Sequence, residues 1–126
     1  MPRVLIADDE PLQRTLIRET LANDPSLSFI EVGDGVQALE QVWADTPDLI
    51  ILDVMMPGMG GIQVCRILKA EPALQAIPVI MITALESDES RIAGLDAGAV
   101  DYIRKPFETI DLEVKVQQAL RGQTAP

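Results

Sequence analysis

The chain has 126 residues, nearly half of them apolar, which suits one domain with a full hydrophobic core. Twenty acids face ten bases, and the formal charge of −10 argues against direct binding of nucleic acid. Histidine is absent, which removes Ser-His and Cys-His catalysis, histidine-ligated metals and phosphohistidine on this chain, and no apolar run approaches the ~18 to 20 residues of a membrane span.

The first strand is expected at Arg3 to Ala7, where Val, Leu and Ile run without polar alternation. "MPRVLI" enters it at once, so no signal peptide is expected. Three acids follow, Asp8, Asp9 and Glu10. "EPLQRTLIRETLAN" reads as a helix with Pro11 in its first turn, where proline is tolerated. Its apolar arc, from Leu12 through Leu16 to Leu21, is wider than a core stripe needs, so one edge should stay exposed. A second strand is expected at Phe29 to Val32. "GVQALEQVWADT" sets Leu39, Val42 and Trp43 on one helical face and stops before Pro47. The third strand, Leu49 to Asp53, ends in an acid and leads into "VMMPGMGG".

"GIQVCRILKA" is a third helix that stops before Pro72. It carries the sole cysteine, Cys65, read as an inert core thiol; a single cysteine also excludes an internal disulfide and fits a reducing cytoplasm. A fourth strand, Val79 to Thr83, precedes "SDESRIAGLDAG", a helix with Ser87 as N-cap and Gly98 as its stop. A short fifth strand, Asp101 to Ile103, and "TIDLEVKVQQAL", with Leu112, Val116 and Leu120 at helical spacing, complete the pattern. Residues 1–122 read as one domain and 123–126 as a tail or the start of a linker.

Strict alternation of strand and helix implies an open α/β fold. Five strands favour a flavodoxin-like (βα)5 three-layer sandwich, with a parallel sheet of order 2-1-3-4-5. Ligands bind such sheets at the carboxyl ends of the strands, where the order reverses, between strands 1 and 3. Those two strands end in Asp8-Asp9 and Asp53. Two carboxylates ~4 Å apart repel by roughly 4 kcal/mol at an effective dielectric near 20, so the cluster needs a counter-charge. Mg²⁺, or Mn²⁺ in its place, suits a site of few carboxylates and several waters. A carboxylate beside such an ion can act as a nucleophile and form an aspartyl phosphate. Helix capping accounts for part of the Asp8-Asp9-Glu10 run but leaves Asp53 unexplained. Thr83 and Lys105, at the ends of strands 4 and 5, can both reach phosphoryl oxygens.

The ordered set "DD", "ILDVMMPGMGG", "MITA" and "AGAVDYIRKPF" resembles the receiver domain of bacterial two-component response regulators over nearly the full length. The resemblance implies a signalling domain that catalyses only its own phosphorylation and dephosphorylation. Asp53 would be the phosphoacceptor, taking a phosphoryl group from a phosphohistidine of a sensor histidine kinase or histidine phosphotransfer protein. Asp9, Asp53 and the backbone carbonyl of Met55 would bind the metal directly, and Asp8 largely through water. Thr83 and Lys105 would contact the phosphoryl group, and Lys105-Pro106 would be a cis peptide. Tyr102 would be the switch aromatic, turning inward beneath the fourth helix as Thr83 is drawn to the phosphoryl group. The surface of the fourth helix, fifth strand and fifth helix, with Arg91, Arg104, Asp111 and Lys115, would serve dimerisation or output. Leu12, Gln13 and Leu16 would meet the partner's histidine-bearing helix. The chain departs from the pattern at Gly60, where relatives often have an acid, and at Glu108, where a better helix cap is common.

Three rivals fit less well. A flavodoxin-type FMN protein needs a phosphate-binding loop after strand 1, and "ADDEP" is hostile to phosphate without a metal. A haloacid-dehalogenase-type phosphatase needs Asp-x-Asp there, which "DDE" does not supply. A non-phosphorylated interaction module would not require all five chemical positions. The expected location is the cytoplasm, and the output domain, kinase and stimulus are not specified by these residues.

Overall fold

A computed structural model describes residues 2–84 and 88–122. Ser87, expected to cap a helix, and the tail at 123–126 lie outside the described residues. Five strands, β1 (Arg3–Ala7), β2 (Ser28–Val32), β3 (Leu49–Asp53), β4 (Val79–Thr83) and β5 (Asp101–Arg104), alternate with α1 (Pro11–Leu21), α2 (Gly35–Ala44), α3 (Gly61–Ala70), α4 (Asp88–Asp96) and α5 (Thr109–Leu120). All pairings are parallel and the order is β2-β1-β3-β4-β5. This is the flavodoxin-like arrangement expected from the alternation. β2 starts at Ser28, because the Ser28 N–H bonds to the Pro2 carbonyl at 3.0 Å. β5 runs on to Arg104, in register with Thr83.

The unbroken apolar strands make sense once both faces of the sheet are covered. Val4, Ile6, Leu49, Ile51, Ile80 and Ile82 point to one side, where Ile17 of α1 and Leu112 and Val116 of α5 cover them. Leu5, Ala7, Ile50, Leu52, Val79 and Met81 point to the other, against Val42 of α2 and Val64, Cys65 and Leu68 of α3. Each fully buried Leu or Ile contributes roughly 1.5–3 kcal/mol, so two such layers dominate the stability. Among the described residues, no helix is long and apolar enough to cross a membrane.

Local chemistry sets the ends of the elements. Pro11 opens α1 at its first turn. Asp34 caps α2 by accepting from the Gln37 N–H at 2.7 Å, and Gln37 Oε1 accepts in return from the Gly33 N–H at 2.9 Å. Gly98, at φ 110°, lets the chain turn out of α4, with its N–H on the Leu95 carbonyl. Trp43 departs from the sequence reading: the buried face of α2 is Gly35, Ala38 and Val42, which leaves Leu39 partly covered and Trp43 58% exposed. Cys65 is buried, with its thiol donating to the Ala97 carbonyl, which agrees with an inert core role.

One close approach fixes the end of β3. A Cβ at Gly61 would lie 2.2 Å from the Asp53 carbonyl oxygen, so only glycine lets α3 start directly against that strand. Gly61→Ala is therefore expected to lower stability by about 1–3 kcal/mol through overpacking against backbone. Gly60 is tight too, with its nearest atom at 2.9 Å, so Val36→Ala on the exposed face of α2 is the neutral reference. Urea unfolding midpoints check the pair. A Gly61→Ala midpoint equal to wild type would mean the β3–α3 turn yields freely.

Candidate functional site

β1, β3, β4 and β5 deliver their carboxyl ends to one edge of the sheet, and with them Asp8-Asp9, Asp53, Thr83 and Lys105. Asp8, Asp53 and Thr83 are buried, while Asp9 and Glu10 are exposed. Lys105 follows β5, and its N–H reaches the Thr83 carbonyl at 2.7 Å. The Lys105-Pro106 peptide is cis.

The buried carboxylates share a cation supplied by the chain. Lys105 Nζ donates to Asp8 Oδ2 at 2.7 Å and to Asp53 Oδ2 at 3.1 Å, and its side chain is only 10% exposed. Asp8 Oδ1 accepts from the Glu10 N–H, and Asp53 Oδ1 from the Met55 N–H at 3.0 Å. Burial pushes the Asp53 carboxyl up to about 6; the Met55 N–H opposes this, the nearby Asp8 charge adds to it, and Lys105 opposes it. For Lys105, burial favours the neutral amine, but the bonds to Asp8 and Asp53 outweigh it and hold the ammonium above its ordinary value.

The carboxylate oxygens of Asp8, Asp9 and Glu10 lie within 4.8 Å of one another. That grouping of hard oxygen donors fits a divalent cation such as Mg²⁺. Glu10 stands beside Asp8 and Asp9, and Asp53 pairs with Lys105. Met55, an exposed residue, stands beside Asp53, with its N–H on the carboxylate.

Above these groups opens a cavity of about 600 Å³. Asp9, Asp53, Thr83 and Lys105 line it, and so do Gln13, Leu16, Pro106 and Phe107. Leu12 is 81% and Leu16 49% exposed, so the outer edge of α1 is open, as its wide apolar arc suggested. Tyr102 is already packed inward. Its ring lies beside α4, where a Cβ at Gly94 would be in ordinary van der Waals contact with it at 3.5 Å. The Tyr102 hydroxyl is buried without a hydrogen-bond partner among the described residues. Arg91, Arg104 and Asp111 are exposed, whereas Lys115 is committed to Asp101 and Asp111.

Sequence reasoning missed Arg14 and Glu31. Arg14 Nη1 donates to the Asp8 carbonyl at 2.7 Å, and its Nε donates to Glu31 Oε1. A charged residue inside the apolar run "FIEV" was the available signal for Glu31.

Residues 4–117 match the family model described as response regulator receiver domain. The chain is 39% identical over 119 residues to the DNA-binding response regulator MtrA of Mycolicibacterium smegmatis, covering 94% of this chain and 50% of that protein. It thus spans about half the length of such relatives. Among solved structures it resembles the Francisella response regulator 1452 receiver domain, with TM-score 0.87 and 31% identity over 98% of this chain and 100% of that one. It also resembles the receiver domain of a signal transduction histidine kinase from Syntrophus aciditrophicus, with TM-score 0.89 and 34% identity over 100% of this chain and 95% of that one.

The raised Asp53 carboxyl has a consequence for stability in metal-free buffer. The folded state holds the Asp53 proton up to about pH 6. The stability this contributes is complete below the unfolded value near 3.8 and is lost as pH rises through 6. Asp53→Asn, a neutral mimic of the protonated acid, should therefore exceed wild type by about 1–3 kcal/mol at pH 7.5. The gain should vanish near pH 4. Urea unfolding with chelator at both pH values measures it, and an Asp53→Asn variant no more stable than wild type at pH 7.5 contradicts the assignment.

Proposed function

The chain belongs to the response regulator receiver domain family of two-component signalling, and from that premise we propose that it is a phosphoacceptor with Asp53 as the acceptor residue. The observation that carries this is the juxtaposition of a buried, Lys105-paired aspartate with an acid group fit for Mg²⁺, at the floor of an open cavity. The phosphoryl donor is a phosphohistidine of a sensor histidine kinase or histidine phosphotransfer protein. A carboxylate oxygen of Asp53 attacks phosphorus, the P–N bond breaks, and the imidazole leaves and takes up a proton. The reaction requires Asp53 ionised, which holds above pH 6. Met55 N–H and Lys105 fix the carboxylate in place before the attack. Lys105, and the hydroxyl of Thr83 at the end of β4, are placed to meet the phosphoryl oxygens. Asp9 and Asp53, with the Met55 carbonyl, would hold Mg²⁺, with Asp8 acting behind them. The bound ion would offset the negative charge of phosphoryl group and acids.

The signal would leave through α4, β5 and α5, from a starting point in which Tyr102 is already packed inward. These residues specify no output or stimulus; the match to a DNA-binding regulator and to a kinase receiver supports no single output. A cytoplasmic setting follows from a kinase partner of this kind.

Intact mass after incubation with a small phosphodonor and Mg²⁺ tests the acceptor. Wild type should gain one phosphoryl group, Asp53→Asn none, and Lys105→Ala should react about 10²-fold more slowly. Chelator should abolish labelling. Equal labelling of wild type and Asp53→Asn rejects Asp53.

Docking is tested separately. Leu12, Gln13 and Leu16 are the proposed contacts for the histidine-bearing helix. Leu16→Ala should slow transfer from the cognate kinase about tenfold while leaving small-donor labelling intact. Equal loss of both would assign Leu16 a core role.

A further inference from the structure

Arg14 projects from α1 toward the β1–α1 turn, and its side chain is 19% exposed. Nη1 donates to the backbone carbonyl of Asp8 at 2.7 Å, and Nε to Glu31 Oε1 at 3.3 Å. Glu31 lies within the edge strand β2, in register with Ile6, and its other oxygen accepts from Arg18 Nη1. The Asp8 N–H bonds to the Val32 carbonyl at 3.2 Å, so both backbone groups of Asp8 are tied toward β2, the carbonyl by way of Arg14.

A peptide group is planar. Fixing the Asp8 carbonyl therefore fixes the Asp8-Asp9 peptide and the direction in which Asp9 leaves the strand. Asp9 needs that support. It is exposed, and its carboxylate makes no hydrogen bond among the described residues. Backbone orientation is what aims it. A half-buried ion pair with Glu31 has no fixed direction by itself, but a guanidinium on a backbone carbonyl is a charge-assisted bond with one.

We infer that Arg14 is a positioning residue of the cation site, through which Glu31 on β2 holds the acid turn in its binding geometry. The inference rests on the receiver reading above, in which Asp9 is a metal ligand. It assigns work to two residues that touch neither metal nor phosphoryl group. It also makes α1 a two-sided element, with Leu12 and Leu16 facing outward and Arg14 bracing the site.

The test is Mg²⁺ binding by calorimetry in the absence of any phosphodonor, with the amide resonance of Asp9 followed by NMR in metal-free protein. Arg14→Ala should raise the Mg²⁺ Kd about tenfold and shift the Asp9 amide. Arg14→Lys, which reaches one acceptor but not both, should lose about threefold. Arg18→Ala removes the other bond to Glu31 and should leave the Kd and the Asp9 amide as in wild type. Arg14→Ala binding Mg²⁺ like wild type overturns the inference, as does Arg18→Ala losing as much as Arg14→Ala. Should Arg14→Ala fail to fold, Arg14→Lys decides by the same measure, with unchanged affinity counting against the inference. Wild type that binds no Mg²⁺ sinks the receiver reading itself, and this inference with it.

Discussion

An ammonium group with little access to water sits between Asp8 and Asp53 at the edge of the sheet. Taking any one of these three charges out of water alone costs several kcal/mol. Together they satisfy one another, and each carboxylate has a second donor in a backbone N–H. The surroundings follow from this requirement. The Lys105 backbone must bond β4, so β5 must pair beside it. Gly61 must lack a side chain so that α3 can start against the Asp53 carbonyl. The balance is incomplete, because burial still leaves the Asp53 carboxyl a weaker acid than an ordinary aspartate. Added positive charge beside it would favour the carboxylate, and the proton would leave to water.

The scaffold was largely legible in the sequence because its signals were local. Uninterrupted Val, Ile and Leu runs identify strands covered on both faces, and Pro11, Pro47 and Pro72 mark helix limits. The convergence of Asp8, Asp53, Thr83 and Lys105 was legible because each stands at or just past a strand end, and strand ends meet at one edge in this topology. What escaped was tertiary. Trp43 scores as core by type, yet the face of α2 is chosen by the small Gly35 and Ala38 that let the helix approach its neighbours. Arg14 looked like an ordinary solvated base on an amphipathic helix. Only the fold shows that the Asp8 carbonyl and Glu31 lie within its reach. The grouping of Glu10 with Asp8 and Asp9, while Asp53 turns to Lys105, likewise depends on side-chain competition that spacing does not encode.

One cavity brings together two kinds of surface. Asp53 and Lys105 in its lining are held by hydrogen bonds to one another and to neighbouring groups. Leu16, Pro106 and Phe107 also line it and offer apolar side chains. Such a division would let contacts with a partner differ without altering the charged groups. It suits a domain whose relatives include both a DNA-binding regulator and a kinase receiver.

The parallel sheet also governs the order in which the molecule can assemble. β1 lies between β2 and β3, so every strand pairing closes across a helix, and none can form as a simple hairpin. Closure entropy must be met before those non-local pairings reward the chain, which places this domain among slower folders than a helical bundle of equal size. The bond between Lys105 and Asp8 joins residues 97 positions apart. Until β5 pairs with β4, Asp8 and Asp53 lack the ammonium they share, so the edge that brings the acids together is balanced only when the last strand of the sheet is in place.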